Sequence, residues 1–165
     1  MTFHQDSPLN QLLANFPQQG KLSWIGLRPA RDMPMQAVAE VVAEPGVGLI
    51  GDRFHGTTNS KRQVTLMQAE HLTAVASMLH QEAIQPMLLR RNLVIEGINL
   101  LALKDQRFQI GQAVLQMTGL CHPCSKMEKV LGPGGYNALR GHGGITARVL
   151  VGGRMKIGDS VSIHC

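Results

Sequence analysis

The feature that most constrains this chain is a succession of short apolar stretches, each closed by glycine or proline, that begins after Gly20. Leu22-Ser23-Trp24-Ile25-Gly26-Leu27 is stopped by Pro29, and Ala37-Val38-Ala39-Glu40-Val41-Val42 by Glu44-Pro45-Gly46. Arg62-Gln63-Val64-Thr65-Leu66 follows with β-branched alternation. Pieces this short, bounded by turn formers, read as strands rather than helices. The pattern resumes at Asn92-Leu93-Val94-Ile95, Arg107-Phe108-Gln109-Ile110, Ala113 to Met117, Gly144 to Leu150, Arg154 to Ile157 and Ser160 to Ile163. So many strands need their edges hidden. They predict a mainly β fold, a closed or partly open β-barrel decorated by a few α-helices.

Two helices are legible. Ser7 is an N-cap residue and Pro8 suits the first helical position; Leu9, Leu12, Leu13 and Phe16 then fall on one face until Pro17. This gives an N-terminal helical extension over residues 1–20 ahead of a barrel domain over residues 21–165. Its apolar face is expected to cover the main body or a second copy, as in a homodimer. Leu72, Val75, Ala76 and Leu79 mark a second helix that ends at Gln85-Pro86, with no good N-cap at its start. There is also an echo: Arg107-Phe108-Gln109-Ile110-Gly111-Gln112-Ala113-Val114 matches Arg154-Met155-Lys156-Ile157-Gly158-Asp159-Ser160-Val161, each reading as strand, tight corner, strand.

The 165 residues suit one domain. Lys and Arg number 16 against 11 Asp and Glu, and the resulting +5 favours small anionic cofactors or substrates. Aromatics at 4% argue against base stacking, so no nucleic-acid partner is expected. No apolar run approaches the ~20 residues of a membrane span. Met1-Thr2-Phe3-His4-Gln5-Asp6 lacks the layout of a secretory signal, and three cysteines make no disulfide framework. The expectation is a cytoplasmic protein with no membrane partner.

The strongest chemical signal is Gly119-Leu120-Cys121-His122-Pro123-Cys124-Ser125-Lys126. Two thiols follow a strand where a helix can begin, and helix amides, His122 and Lys126 would each favour a thiolate. That form attacks electrophiles or binds soft metals. A second reading is a redox dithiol, a thiol–disulfide oxidoreductase or sensor using Cys121 and Cys124. A third, structural zinc, has only His122, His142 and Cys165 left at irregular spacings. Asp52, Arg53 and His55 stand in a Gly-rich loop, while Arg62, Arg90 and Asn92 stand at strand mouths, where guanidinium forks and an amide suit a phosphate-bearing ligand. The stretch from Gly132 to Gly144 reads as a flexible loop; it lacks a P-loop ending, and Arg140 and Arg148 are further anion contacts.

Taken in order, Gly48 to Arg53, Arg62 to Leu66, Arg90 to Val94, Phe108 to Gly111, Cys121 to Cys124, Gly143 to Val149 and Met155 to Val161 resemble the MOSC domain, over about Gly20 to Ile163. The resemblance implies a β-barrel with an anion-lined cleft and one essential cysteine. It implies sulfur carriage as a cysteine persulfide, or binding of the molybdenum cofactor (molybdopterin), with pyridoxal phosphate as a further family association. The metal-coordinating cysteine matches Cys124, and the Arg-x-Asn motif that contacts the pterin phosphate matches Arg90 and Asn92. Asp52, Arg53, His55 and Arg62 match motif positions lining the cleft. The activity so implied is a sulfur transferase or a component of a molybdenum-dependent reductase, served by a redox or sulfur-donor protein partner.

Overall fold

The structure is a computed structural model describing residues 7–165; Met1 to Asp6, read above for a signal layout, lie outside the described residues. The strands are β1 (Gly20–Leu27), β2 (Gln36–Val38), β3 (Glu40–Glu44), β4 (Gly48–Leu49), β5 (Val64–Gln68) and β6 (Leu93–Glu96). They continue as β7 (Arg107–Ile110), β8 (Ala113–Leu120), β9 (Ile145–Val151), β10 (Gly153–Lys156) and β11 (Ser160–Ile163). The helices are α1 (Pro8–Leu13), α2 (Ala69–Met78), α3 (Ser125–Leu131) and α4 (Gly135–Leu139).

One sheet runs β11-β7-β8-β9-β5-β6-β1, and β1 pairs back onto β11 through Gly20↔Val161. The result is a closed barrel, as the sequence predicts. Neighbours are antiparallel except β5 and β6, which run parallel with Leu66 opposite Leu93 and are joined through α2. β2 adds to the C-terminal half of β1, and β10, β3 and β4 form a separate small sheet.

Period-two alternation places two cores. Leu66, Leu93, Ile95, Phe108, Ile110, Leu115, Ile145, Ala147 and Val149 fill the barrel. The intervening Met67 and Val94 point outward, under Val75, Ala76, Met127, Leu131, Ala138 and Leu139 of α2, α3 and α4. β5 is therefore buried along its whole length. The helices that close this second core also carry the cysteine segment, so barrel packing and site geometry are linked.

Three sequence expectations are refined. The stretch Ala37 to Val42 divides at Ala39, whose carbonyl instead accepts from Ile157 N–H, so its halves join different sheets. α2 has Gln68 at its N-cap without a side-chain cap bond, because that amide holds the 98–100 turn: it donates to Ile98 O (2.8 Å) and accepts from Leu100 N (2.9 Å). α1 is capped by Ser7, yet it stops at Leu13, leaves Leu9, Leu12 and Leu13 exposed, and only Phe16 beyond it reaches the barrel core. The echoed segments touch one another. The first is the β7–β8 hairpin, the second the corner from β10 to β11, and Gln112 N–H bonds Arg154 O while β11 pairs with β7.

Among the described residues no helix is long and apolar enough to cross a membrane.

Candidate functional site

β8 remains paired with β9 through Leu120↔Ile145, and Cys121 N–H then bonds Gly144 O (2.9 Å). From Cys121 to Cys124 the chain makes no turn or bend, and Cys124 is the N-cap residue of α3 without a side-chain cap bond. Cys121 is buried; His122 and Cys124 are exposed. The close approach of the 143–144 strand entry depends on glycine. A Cβ on Gly143 would lie 2.1 Å from Cys121 O, and one on Gly144, at φ +90°, 2.0 Å from Leu66 O. Gly144→Ala is therefore expected to destabilise the fold by about 2 kcal/mol or more and to disturb the cysteine segment. A thermal midpoint equal to wild type would contradict this.

Two guanidinium groups meet this segment. Arg62 Nη2 lies 3.4 Å from Cys121 Sγ. Arg91, which is buried, donates from Nε to Gly143 O (2.8 Å), from Nη1 to Leu89 O (2.9 Å) and from Nη2 to Cys121 O (3.4 Å). Among the described residues it has no carboxylate partner. Burial lowers its pKa, the thiols of Cys121 and Cys124 oppose that shift, and the charges of Arg62 and Arg28 add to it. The sequence reading passed over Arg91 in favour of Arg90. The available signal was parity: Arg91, Leu93 and Ile95 fall on alternate positions of one extended run.

Arg90 adopts a left-handed φ of +57° and turns its fork to Met33 O (2.6 Å) and Ala30 O (3.4 Å), clamping the 30–33 loop. Asn92, expected to meet a phosphate, is fully buried and has its polar atoms engaged inside the protein. Its Oδ1 accepts from Thr65 N and Oγ1, and its Nδ2 donates to Gly26 O and Asp52 Oδ1. Asp52 is bound by Arg28 through Nε (3.1 Å) and Nη2 (2.8 Å) and also accepts from the backbone N–H groups of Arg28 and Phe54. Asp52 and Asn92 thus tie the strand ends of β1, β5 and β6 together. Lys126 pairs with Asp32 (3.2 Å) at the surface. Arg53, His55 and Arg140 are exposed, and Arg148 is half-buried opposite Gln116 with its Nε unbonded; none of the four bonds the cysteine segment.

Cys124 opens onto a shallow depression of about 600 Å³ with Pro123, Ser125, Glu128, Tyr136 and Asn137. The far wall is α4, in the stretch expected to be a flexible loop. Its order comes from Glu128, whose oxygens accept from Gly134 N (2.8 Å) and Tyr136 N (2.9 Å), and these bonds lower the carboxyl pKa. Glu128→Ala is expected to speed amide hydrogen exchange at Gly134 and Tyr136, whereas unchanged protection would remove the clasp. In wild type the clasp holds at neutral pH and is lost as pH falls through the depressed native pKa. A groove of about 720 Å³ between Phe16, His71 and Ile98 lies elsewhere and contains no thiol, so the depression at Cys124 is the candidate site. Among the described residues no group of three or more His, Cys, Asp or Glu side chains could hold a metal, which leaves no structural zinc set. A single exposed soft sulfur, on a segment held by guanidinium groups that have no carboxylate partner among the described residues, does fit an anionic cofactor that completes a metal's coordination with its own donors.

Comparison with known proteins agrees with this architecture. Solved structures with the same fold include the YuaD protein from Bacillus subtilis, at 18% identity and a TM-score of 0.77 over 91% of this chain and 98% of that one. YiiM from Geobacillus stearothermophilus aligns at 16% identity and 0.70 over 88% of this chain and 75% of that one. YiiM from Escherichia coli aligns at 16% and 0.67 over 88% and 70%. No curated protein sequence matches significantly. The MOSC domain family model matches residues 51–162, from the Asp52 loop through the cysteine segment to β11. The chain belongs to the MOSC domain family.

Proposed function

We propose that Cys124 is the working thiol of this protein, carrying sulfur as a persulfide or ligating molybdenum in a bound molybdenum cofactor. The observation that carries this reading is an exposed thiol at the mouth of a depression, at the edge of a segment held by a buried guanidinium with no carboxylate partner. When bound, the cofactor would supply a redox-active metal with an exchangeable site. Cys124 would contribute the soft ligand, Arg62 and Arg91 the positive charge, and Arg90 the rim on the 30–33 side. Asp52 and Asn92 would act by fixing the strand ends that present these groups, and Arg53, His55, Arg140 and Arg148 would at most contribute to the surrounding positive field.

The dithiol reading fares worse on geometry. The run from Cys121 to Cys124 makes no turn or bend, and three residues of extended chain span up to about 10 Å. A disulfide requires roughly 4.4–6.8 Å. Closing it would unwind the bonds that Cys121 makes with Gly144 and Arg91. The test is metal, pterin and persulfide analysis of protein purified under reducing conditions, alongside Cys121→Ser and Cys124→Ser. Cys121→Ser is expected to retain sulfur loading and Cys124→Ser to lose it; equal loss in both variants would favour the dithiol.

A further inference from the structure

Arg91 presents a physical problem that the fold alone does not answer. Burying a guanidinium is costly unless a counter-charge accompanies it. Here three carbonyls, those of Gly143, Leu89 and Cys121, take three of its N–H groups. A guanidinium has five N–H donors. The neighbouring cations are compensated differently: Arg28 by Asp52, Lys126 by Asp32, while Arg62 reaches a sulfur.

We propose that Arg91 is the fixed positive charge that selects anionic reaction partners at Cys124, its ligand class being sulfur donors or acceptors with an anionic group beside the reacting atom. This rests on the reading of Cys124 as the working thiol. The opposing charge at the depression is Glu128, but that carboxylate is exposed and both its oxygens are occupied by backbone N–H groups. Water and salt screen an exposed charge far more than a buried one. Arg91 is tied to the segment that carries the thiol through Gly143 O (2.8 Å) and Cys121 O (3.4 Å), and its buried charge is screened less than that of exposed Glu128. Its three carbonyl anchors hold it in place, so no reorganisation is needed when an anion arrives.

The test compares alkylation of Cys124 by iodoacetate and by neutral iodoacetamide, with the modified residue located by peptide mass spectrometry. In both reactions the thiolate sulfur forms the S–C bond and iodide leaves with the C–I electron pair. The ratio of the two rates thus cancels the thiolate fraction and reports charge selection. Wild type is expected to show a higher iodoacetate-to-iodoacetamide ratio than a small free thiol in the same buffer. Arg91→Gln should lower that ratio roughly threefold or more, and Arg91→Lys should restore most of it. A wild-type ratio equal to the free thiol's, or an unchanged ratio in Arg91→Gln, would overturn the proposal. If Arg91→Gln does not fold, the comparison of wild type with the free thiol decides alone. Failure of sulfur loading with the charge ratio intact would sink the sulfur reading and sustain the selection by Arg91.

Discussion

Replacing Cys124 with alanine is expected to abolish sulfur loading and any molybdenum ligation while leaving stability within about 0.5 kcal/mol of wild type. The separation follows from where the residue sits. Its side chain is exposed and caps no backbone N–H group, so the fold loses little when it is truncated. The helix it precedes is held by Met127 and Leu131 in the outer core and by the Glu128 clasp, neither of which involves the thiol. Cys121 offers no substitute, being buried with its carbonyl under Arg91 and its sulfur against Arg62. Thermal unfolding and loading assays on the same preparation check both halves. Wild-type loading in the variant would remove the role assigned to Cys124, and a large fall in the midpoint would show a structural role instead.

Asp52→Asn has the opposite profile, a large loss of stability with no direct contact to the thiol. The Asp52 side chain is fully buried against Arg28, Asn92 and two backbone N–H groups. Removing one partner of such a buried pair strands the other charge and costs about 3–5 kcal/mol. Burial raises the carboxyl pKa, but the Arg28 fork and backbone bonds outweigh it and hold the group below the ordinary aspartate range. The sign follows: this stability is complete above the unfolded-state value and is lost as pH falls through the lower native value. Urea unfolding should therefore show a wide gap between wild type and Asp52→Asn at neutral pH and a narrowing gap in acid. A gap independent of pH would mean that the carboxylate charge is not what the pair contributes.

Much of the barrel was legible because each strand carried its own alternation and its own stop signal. The helix start at Cys124 was legible too, since the two thiols, with Pro123 between them, follow a strand where a helix can begin. The site was less so, because its decisive features are contacts between distant segments. Parity with Leu93 and Ile95 is the one local hint that Arg91 rather than Arg90 turns inward; the contacts that hold it there come from the left-handed φ of Arg90 and from carbonyls of residues near 121 and 143. The commitment of Asn92 to Thr65, Gly26 and Asp52 likewise emerges only when β1, β5 and β6 come together. Glu128 gave no sign of ordering the glycine-rich stretch, because its partners are backbone amides.

The chain belongs to the MOSC domain family, and its exposed Cys124 opens onto a depression beside α3 and α4. The claim that matters is which sulfur does the work. The most direct measurement is site-resolved mass spectrometry of wild type and Cys124→Ala after exposure to a persulfide donor under anaerobic conditions. The account predicts one added sulfur atom on the peptide carrying Cys124, confined to that residue and missing from the variant. Sulfur found instead on Cys121 or Cys165, or carried equally by Cys124→Ala, would contradict it.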